Sequence, residues 1–447
     1  MGKKLGYGIG SLGYSVVGQT ISNYFMFFAT CILGIRGSIV GLVIATSTIW
    51  DGISDCLIGY LSDNKPLGRL GNRNGYMLIA TFGITIFNIV LWTIPLEINV
   101  WIKVIWISVT LLLLETFNTM FATPFNALGN ELAEDYNDRT KITATSTVFY
   151  LLGIIIPSVL LVIFLPDTTE YPVGQLNPNG YIKIAIVTSV ICLVCGLISS
   201  ISTIKHNTML KGKQKKKNVD LKSIFANFGR AFKHKRLRTI IAGYVMISMA
   251  TVFLCSVGLH FFTYSFFYTT NQITTLLLSL IGGTILSQPL WVLISSKRRK
   301  KPALIMGILT TIFAVFGVIG VYIFRIELYE VSFYLMIGLL VICGIGSGAI
   351  YSLPQSLYGD AIESVSRGGS TATFGGALTL ASNIANSLSQ LIVGVLLDVI
   401  GFDSKELVQT LGVQTGLALI VFVGVQATLI VGCLIFASYR EKGEVKV

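Results

Sequence analysis

Asp51 and Asp55 stand four residues apart inside "TSTIWDGISDCLIGYLSD", residues 46–63, a stretch otherwise apolar enough to lie in hydrocarbon. On a helix, positions four apart share a face, with Cβ atoms about 6 Å apart. Two ionised carboxylates at that separation repel by roughly 3 kcal/mol at an effective dielectric of 20. Something must offset the repulsion: a proton shared by the pair, or a monovalent cation ligated by oxygen. Ser47 and Ser54 flank the same stripe and add hydroxyl oxygens. The competing reading pairs both aspartates with basic groups of neighbouring helices. No other apolar span carries a Lys or Arg at similar depth, so a cation or proton site is the reading carried forward.

The elements that position this pair follow from composition. The chain has 447 residues, 53% of them hydrophobic and 12% charged, against roughly 25% charged in soluble domains. Crossing about 30 Å of hydrocarbon takes roughly 20 apolar residues in a helix. Twelve such runs are legible, at 6–33, 37–62, 76–95, 100–128, 142–165, 181–204, 239–267, 272–295, 303–324, 331–358, 372–400 and 412–438. Helix is the default for each, because every backbone group in lipid needs an internal partner. The sequence therefore predicts an all-α membrane protein of twelve transmembrane helices in two six-helix bundles. The N-terminal "MGKKLGYGIGSLGYSV" is glycine-interrupted and continues past the length of a signal-peptide core, so the first helix is expected to stay.

The formal net charge of +12 raises nucleic acid as a partner, and its placement argues against that. With the N-terminus cytoplasmic, 28 of the 33 lysines and arginines fall on inside loops or ends. The other five, Arg36, Lys103, Lys183, Arg325 and Lys405, lie near outside ends. This asymmetry is the positive-inside rule; it orients a multi-pass protein of the cell membrane with both termini cytoplasmic. Lys-rich, Arg-poor loops point to an AT-rich bacterial genome.

The longest inside loop, 205–238, separates an N-terminal bundle, 1–204, from a C-terminal one, 239–447. Within it Leu221, Ile224, Phe225, Phe228 and Phe232 recur at helical spacing among basic residues, an amphipathic surface helix linking the bundles. The halves also share a register. "PFNALGNELAEDYNDRT" and "PQSLYGDAIESVSRGGST" each run from Pro to a Gly five positions on, then through an acidic stretch to Arg, so Pro124 and Gly129 correspond to Pro354 and Gly359. Paired six-helix repeats are a recurring transporter architecture with a site near the midplane.

"GYLSDNKPLGR", residues 59–69, resembles the loop between helices two and three of the major facilitator superfamily. That resemblance makes Asp63 and Arg69 latch residues, and Glu131, Asp135 and Arg139 gating residues at the end of the fourth span. "KLGYGIGSLGYS", "IWDGISDCLIGYLSD" and "PFNALGNELAEDYNDRT" are similar to segments of the glycoside-pentoside-hexuronide:cation symporters, the branch that includes the melibiose carrier. The similarity covers most of the first half and is fainter in the second, around "LPQSLYGDAIESVSRGG" and "GVLLDVIGF". In that family the two aspartates of helix two hold a coupling sodium, lithium or proton with help from a threonine on helix four. Carried over, these are Asp51, Asp55 and Thr119, with Ser54 in place of an asparagine.

The family's sugar-site pattern is not retained. Ser15 and Ala122 stand where the melibiose carrier has aspartates, Asn126 replaces its tryptophan, Ser146 its helix-five arginine, and Asn383 falls near its helix-eleven lysine. The implied pocket carries less charge and suits a neutral or amphipathic solute, since a carboxylated cargo calls for an Arg or Lys. Glu115, Asn118, Thr119, Ala122 and Asn126 share one helical face. An intramembrane glutamate is costly, which leaves Glu115 either joining the cation site, bonding substrate hydroxyls, or bonded in protonated form to a neighbouring helix. Gln19 with Asn23, and Asn383 with Asn386 and Gln390, either line a cavity or serve as interhelical hydrogen-bond glue. His260 lies among aromatics in "GLHFFTYSFFYTT", as a structural partner or a proton relay.

No enzymatic constellation emerges. "GIGSLG" lacks the strand and GK[ST] of a phosphate loop. All seven cysteines lie within spans, including "CLVC" at Cys192–Cys195, which argues for packing over disulfides or zinc. The expectation is a monomeric, cofactor-free secondary transporter that couples Na+ or H+ to a small solute, most simply a sugar or glycoside-like neutral compound. Its partners are then that solute and membrane lipids, with no nucleic acid. A lipid or lysolipid carrier of the same fold is the closer rival, and a non-transporting sensor the more distant one.

Overall fold

A computed structural model describes residues 2–65, 67, 73–132, 136–210, 232–328, 331–366, 372–404 and 406–439, and every regular element among them is helical. The chain divides into two compact units, Met1–Val219 and Asp220–Val447. The first holds α1 (Gly2–Phe27, continued by a π turn, Phe28–Ile32), α2 (Gly37–Asn64), α3 (Asn74–Trp92), α4 (Val100–Glu131), α5 (Tyr136–Phe164) and α6 (Pro178–Leu210). The second holds α7 (Lys235–Ser265), α8 (Thr270–Leu286), α9 (Gln288–Arg298), α10 (Lys300–Ile323), α11 (Ser332–Ser366), α12 (Ala372–Val399) and α13 (Leu411–Ser438). The linker positions Leu221, Ile224, Phe225 and Phe228 lie outside the described residues.

One packing scheme serves both units. In the first, α1 packs on α5 and α6, α3 on α4 and α6, and α2 on α4. In the second, α7 packs on α12 and α13, α10 on α11 and α13, and α8 on α11. Each contact in one unit has its counterpart in the other, and Pro124 and Pro354 lie inside the corresponding helices α4 and α11. A proline ring withholds the N–H that would bond the carbonyl four residues earlier, a loss that membrane helices tolerate when neighbours re-satisfy it.

Eleven helices among the described residues are long and apolar enough to cross a membrane, and α1 is not one of them. Its sequence is rich in glycine and serine, and its packing shows what those residues do. A Cβ on Gly6 would come within 2.6 Å of Ser202 Oγ, and one on Gly10 within 2.5 Å of Ser199 Oγ, so glycine lets the α1 backbone close on α6. Cys192 and Cys195 meet Gly13 along the same seam. On its other side the Ser11 hydroxyl lies 2.6 Å from the carbonyls of both Gly8 and Ser146, and that of Ser15 lies 3.3 Å from the carbonyl of Leu12 and 3.2 Å from that of Tyr150, so each shares one proton between α1 and α5. Close approach thus replaces hydropathy as the source of stability. At its far end Lys103, buried in the first turn of α4, donates to the carbonyl of Leu33 at 3.1 Å and caps the chain leaving α1.

Several boundaries differ from the sequence expectation. The span expected at 272–295 is present as one membrane-crossing run, Thr270–Arg298, with a break at Ser287 between α8 and α9, where Pro289 at the start of α9 cannot donate back into the preceding turn. The helices α4 and α11 run beyond the ends at 128 and 358, since their last turns carry charged residues that hydropathy excludes and ion pairs hold.

Candidate functional site

The seam between α2 and α4 carries the polar residues of interest. On α2, Asp51, Ser54 and Asp55 follow i, i+3, i+4 spacing; on α4, Thr116, Thr119 and Thr123 follow i, i+3, i+7, so each set forms a stripe along one face. Thr119 Oγ1 donates to Asp51 Oδ1 at 2.6 Å, and one turn away Thr123 Oγ1 donates to Asp55 Oδ1 at 2.8 Å. Ser54 Oγ lies 3.1 Å from Thr119 Oγ1 and 3.0 Å from the carbonyl of Asp51, with one proton to share between them. Ser54 and Thr119 are buried, while Asp51, Asp55 and Thr123 are half-buried. Above the rungs Trp50 Nε1 donates to Thr116 Oγ1 at 2.8 Å, and Thr116 passes its own proton to the carbonyl of Leu112 at 2.7 Å. The result is a ladder of charge-assisted bonds in which each carboxylate has one oxygen held by an α4 hydroxyl.

Glu115 is half-buried on α4, hydrogen-bonded to Asn118 and near enough to Asp51 and Asp55 to feel both charges. Among the described residues no group of three His, Cys, Asp or Glu is placed to hold a metal ion. The oxygen atoms next to the two aspartates at this seam are those of the Ser54, Thr119 and Thr123 hydroxyls. Ala122 is half-buried and Asn126 exposed on the face that also carries Glu115. Beside them an aromatic group joins α1, α4 and α5: Tyr14 has its ring 5.9 Å from those of Phe121 and Phe125 and 6.0 Å from that of Tyr150.

The other sequence candidates are spread more widely. Ser15 is buried in the α1–α5 seam, where a Cβ on Gly153 would strike its hydroxyl, and Ser146 offers its carbonyl to the same seam. Gln19 and Asn23 are half-buried on α1. His260 and Asn383 belong to the second unit. His260 on α7 is fully buried, bonded to the backbone of Ser256, with its ring edge-on to Phe402 at 5.3 Å. Asn383 is half-buried on α12, and two turns further on Gln390 accepts from Ser256 at 2.9 Å.

Of the gating candidates, Glu131 is described. Arg69 and Asp135 lie outside the described residues, as do the side chains of Asp63 and Arg139. The partner of Glu131 is Arg73, a residue that sequence reasoning counted only as an inside charge. Arg73 donates to Glu131 Oε1 at 3.0 Å and to Ser62 Oγ at 2.9 Å, tying the ends of α2 and α4 to the start of α3. Its side chain is 8% exposed and that of Glu131 24%. The second unit has a counterpart: Lys300, opening α10, meets Asp360 near the end of α11 at 2.6 Å, with exposures of 32% and 59%. Sequence reasoning also missed Thr116 and Thr123, whose spacing from Thr119 was the available signal.

Comparison with known proteins gives these residues a setting. An uncharacterized symporter of Synechocystis sp. is 30% identical over 186 residues, covering 39% of this chain and 33% of that protein. Sodium-dependent lysophosphatidylcholine symporter 1 of Gallus gallus is 22% identical over 98% of this chain and 86% of its own length. The isoprimeverose transporter of Lactiplantibacillus pentosus is 22% identical over 49% of this chain and 45% of that protein. Among solved structures, the nucleoside transporter NupG superposes with a TM-score of 0.68 at 14% identity, covering 99% of this chain and all of NupG. A bacterial homolog of the human lysosomal transporter Spinster gives 0.65 at 12% identity, covering 99% and 98%. The fold is that of the major facilitator transporters, which are not enzymes. The family model described as MFS/sugar transport protein matches residues 6–440, and the chain belongs to that family.

Proposed function

We propose that this protein is a sodium-coupled symporter whose cation site is the Asp51–Asp55 pair with Ser54, Thr119 and Thr123, and whose cargo is a neutral sugar or glycoside-like solute. The observation that carries the reading is the pair of threonine–carboxylate rungs, 2.6 and 2.8 Å, set within apolar spans. Holding two carboxylates one turn apart costs roughly 3 kcal/mol of repulsion at an effective dielectric of 20, and a bound cation removes it. Full-length similarity to symporters named as sodium-dependent supports sodium over a proton.

Coupling follows from linkage. A cation that neutralises the pair stabilises the conformer competent to bind cargo, and cargo strengthens cation binding by the same factor. The loaded protein then alternates between outward-open and inward-open states. The half-buried rings of Tyr14 and Tyr150, backed by the buried Phe121 and Phe125, offer aromatic surface to an uncharged cargo, and Glu115 with Asn126 offers hydrogen-bonding groups to its hydroxyls. The protein works as a monomer in the cell membrane with both termini cytoplasmic, the orientation its basic loops favour. A second cargo reading, an amphipathic lysolipid, draws on the length of the match to the lysophosphatidylcholine symporter and on the uncharged replacements at the sugar-site positions.

Uptake into proteoliposomes tests both. Labelled neutral glycosides and lysophospholipids are offered under an inward sodium gradient and under equimolar choline. Sodium-stimulated glycoside uptake is the expected result. Stimulated uptake of lysophospholipid alone selects the second cargo, and indifference of every uptake to sodium overturns the coupling.

A further inference from the structure

Threonine hydroxyls in this protein have a habit. Those of Thr20, Thr81, Thr85, Thr116, Thr284 and Thr311 all donate to the backbone carbonyl four residues earlier, the default for a hydroxyl in a membrane helix. Thr119 and Thr123 depart from it. Each sends its one proton across the seam to a carboxylate of α2. The resemblance to cation symporters accounts for Thr119. Nothing in that resemblance, and nothing in the requirements of helix packing, calls for a hydroxyl at position 123, where a valine would fill the same space.

We propose that Thr123 is a positioning residue of the cation site that sets its preference among monovalent cations. This rests on the reading that Asp51 and Asp55 bind the coupling ion. With no third carboxylate placed to join them, the two aspartates set the spacing of the charged ligands. Thr119 fixes Asp51, and Thr123 fixes Asp55 one helical turn away, so both carboxylates are presented from rigid helix faces at a set separation. Because each threonine gives away its proton, each hydroxyl oxygen keeps its lone pairs available to a hard cation. A frame held at both ends cannot contract around a smaller ion. Selectivity for sodium over lithium therefore depends on the second rung as well as on the first.

Loss of the Thr123 bond releases Asp55 to rotate, which lowers sodium affinity and lets the pair close on lithium. The test compares wild type with Thr123→Val, Thr123→Ala and Thr123→Ser, using the purified full-length protein titrated with NaCl or LiCl and read by thermal unfolding. In Thr123→Val the sodium half-saturation should rise about tenfold, the scale of a hydrogen bond to a charged group, with lithium affected less so that the sodium-to-lithium ratio falls. Thr123→Ser should restore both, which a purely steric role of the methyl group would not produce. Should Thr123→Val fail to fold, Thr123→Ala, a strong helix former, carries the same comparison. Wild type that responds to sodium while every variant keeps its half-saturation and its ratio overturns this inference and leaves the cation site standing. Wild type that responds to neither cation overturns the underlying reading itself.

Discussion

The seam of α2 with α4 and the seam of α8 with α11 occupy the same place in the two units, yet they are built from opposite materials. The first is held by hydroxyl–carboxylate rungs. The second has no acidic residue on α8 or α9, and its helices close backbone to backbone: a Cβ on Gly344 would collide with the carbonyl of Leu280, and one on Gly283 would lie 2.6 Å from that of Val341. Each seam keeps a tryptophan reaching across, Trp50 to Thr116 and Trp291 to the carbonyl of Ile345 at 2.7 Å. A shared scaffold has thus been specialised by chemistry alone. Glycine contact yields a close backbone joint, whereas half-buried carboxylates yield a joint whose energy, on the proposed function, depends on what binds there.

The largest test of that contrast removes the charge. Asp55→Asn should cut sodium-driven uptake by roughly 100-fold, the scale of about 3 kcal/mol in lost charge-assisted contacts, while Gln288→Ala in the second seam leaves sodium dependence as it was. Sodium-driven uptake that survives in Asp55→Asn would erase the distinction between the seams. Next comes the contrast between the two ion pairs. Arg73→Ala removes a buried guanidinium that bonds both Ser62 and the half-buried Glu131, and should cost about 3 kcal/mol, read as a lowered unfolding temperature in detergent. A smaller loss, about 1–3 kcal/mol, is expected for Gly344→Ala, because overpacking forces the α8 and α11 backbones apart. Unfolding unchanged in that variant would show that the second seam is looser than its geometry implies. Lys300→Ala should do least, under about 1 kcal/mol, since its pair with Asp360 is largely solvated.

Hydropathy made most of the fold legible, because a lipid-crossing helix announces itself by length and composition. It misled where local chemistry outweighs the average. Pro289 puts a local break inside one membrane-crossing span, and Glu131 sits in a helical turn beyond the apolar run of α4. At the site, Asp51, Ser54, Asp55 and Thr119 could be grouped from spacing and resemblance; the structure brings Asp51, Ser54 and Thr119 within hydrogen-bond reach of one another and bonds Asp55 to Thr123 instead. Thr123 stayed hidden because a threonine in a membrane helix ordinarily bonds its own backbone, and only the facing carboxylate redirects it. Arg73 escaped for a similar reason. A basic residue at an inside loop reads as orientation, and its burial against Ser62 and Glu131 depends on three helix ends meeting.

The glycine and serine face of α1 bears on how the molecule is made. Without enough apolar length to favour lipid by itself, this helix finds its complementary surfaces on α5 and α6, the last two helices of its unit to leave the ribosome. Residues 2–27 are therefore made well before the surface that receives them, and a nascent chain that stops before Pro178 lacks the α6 hydroxyls on which Gly6 and Gly10 close.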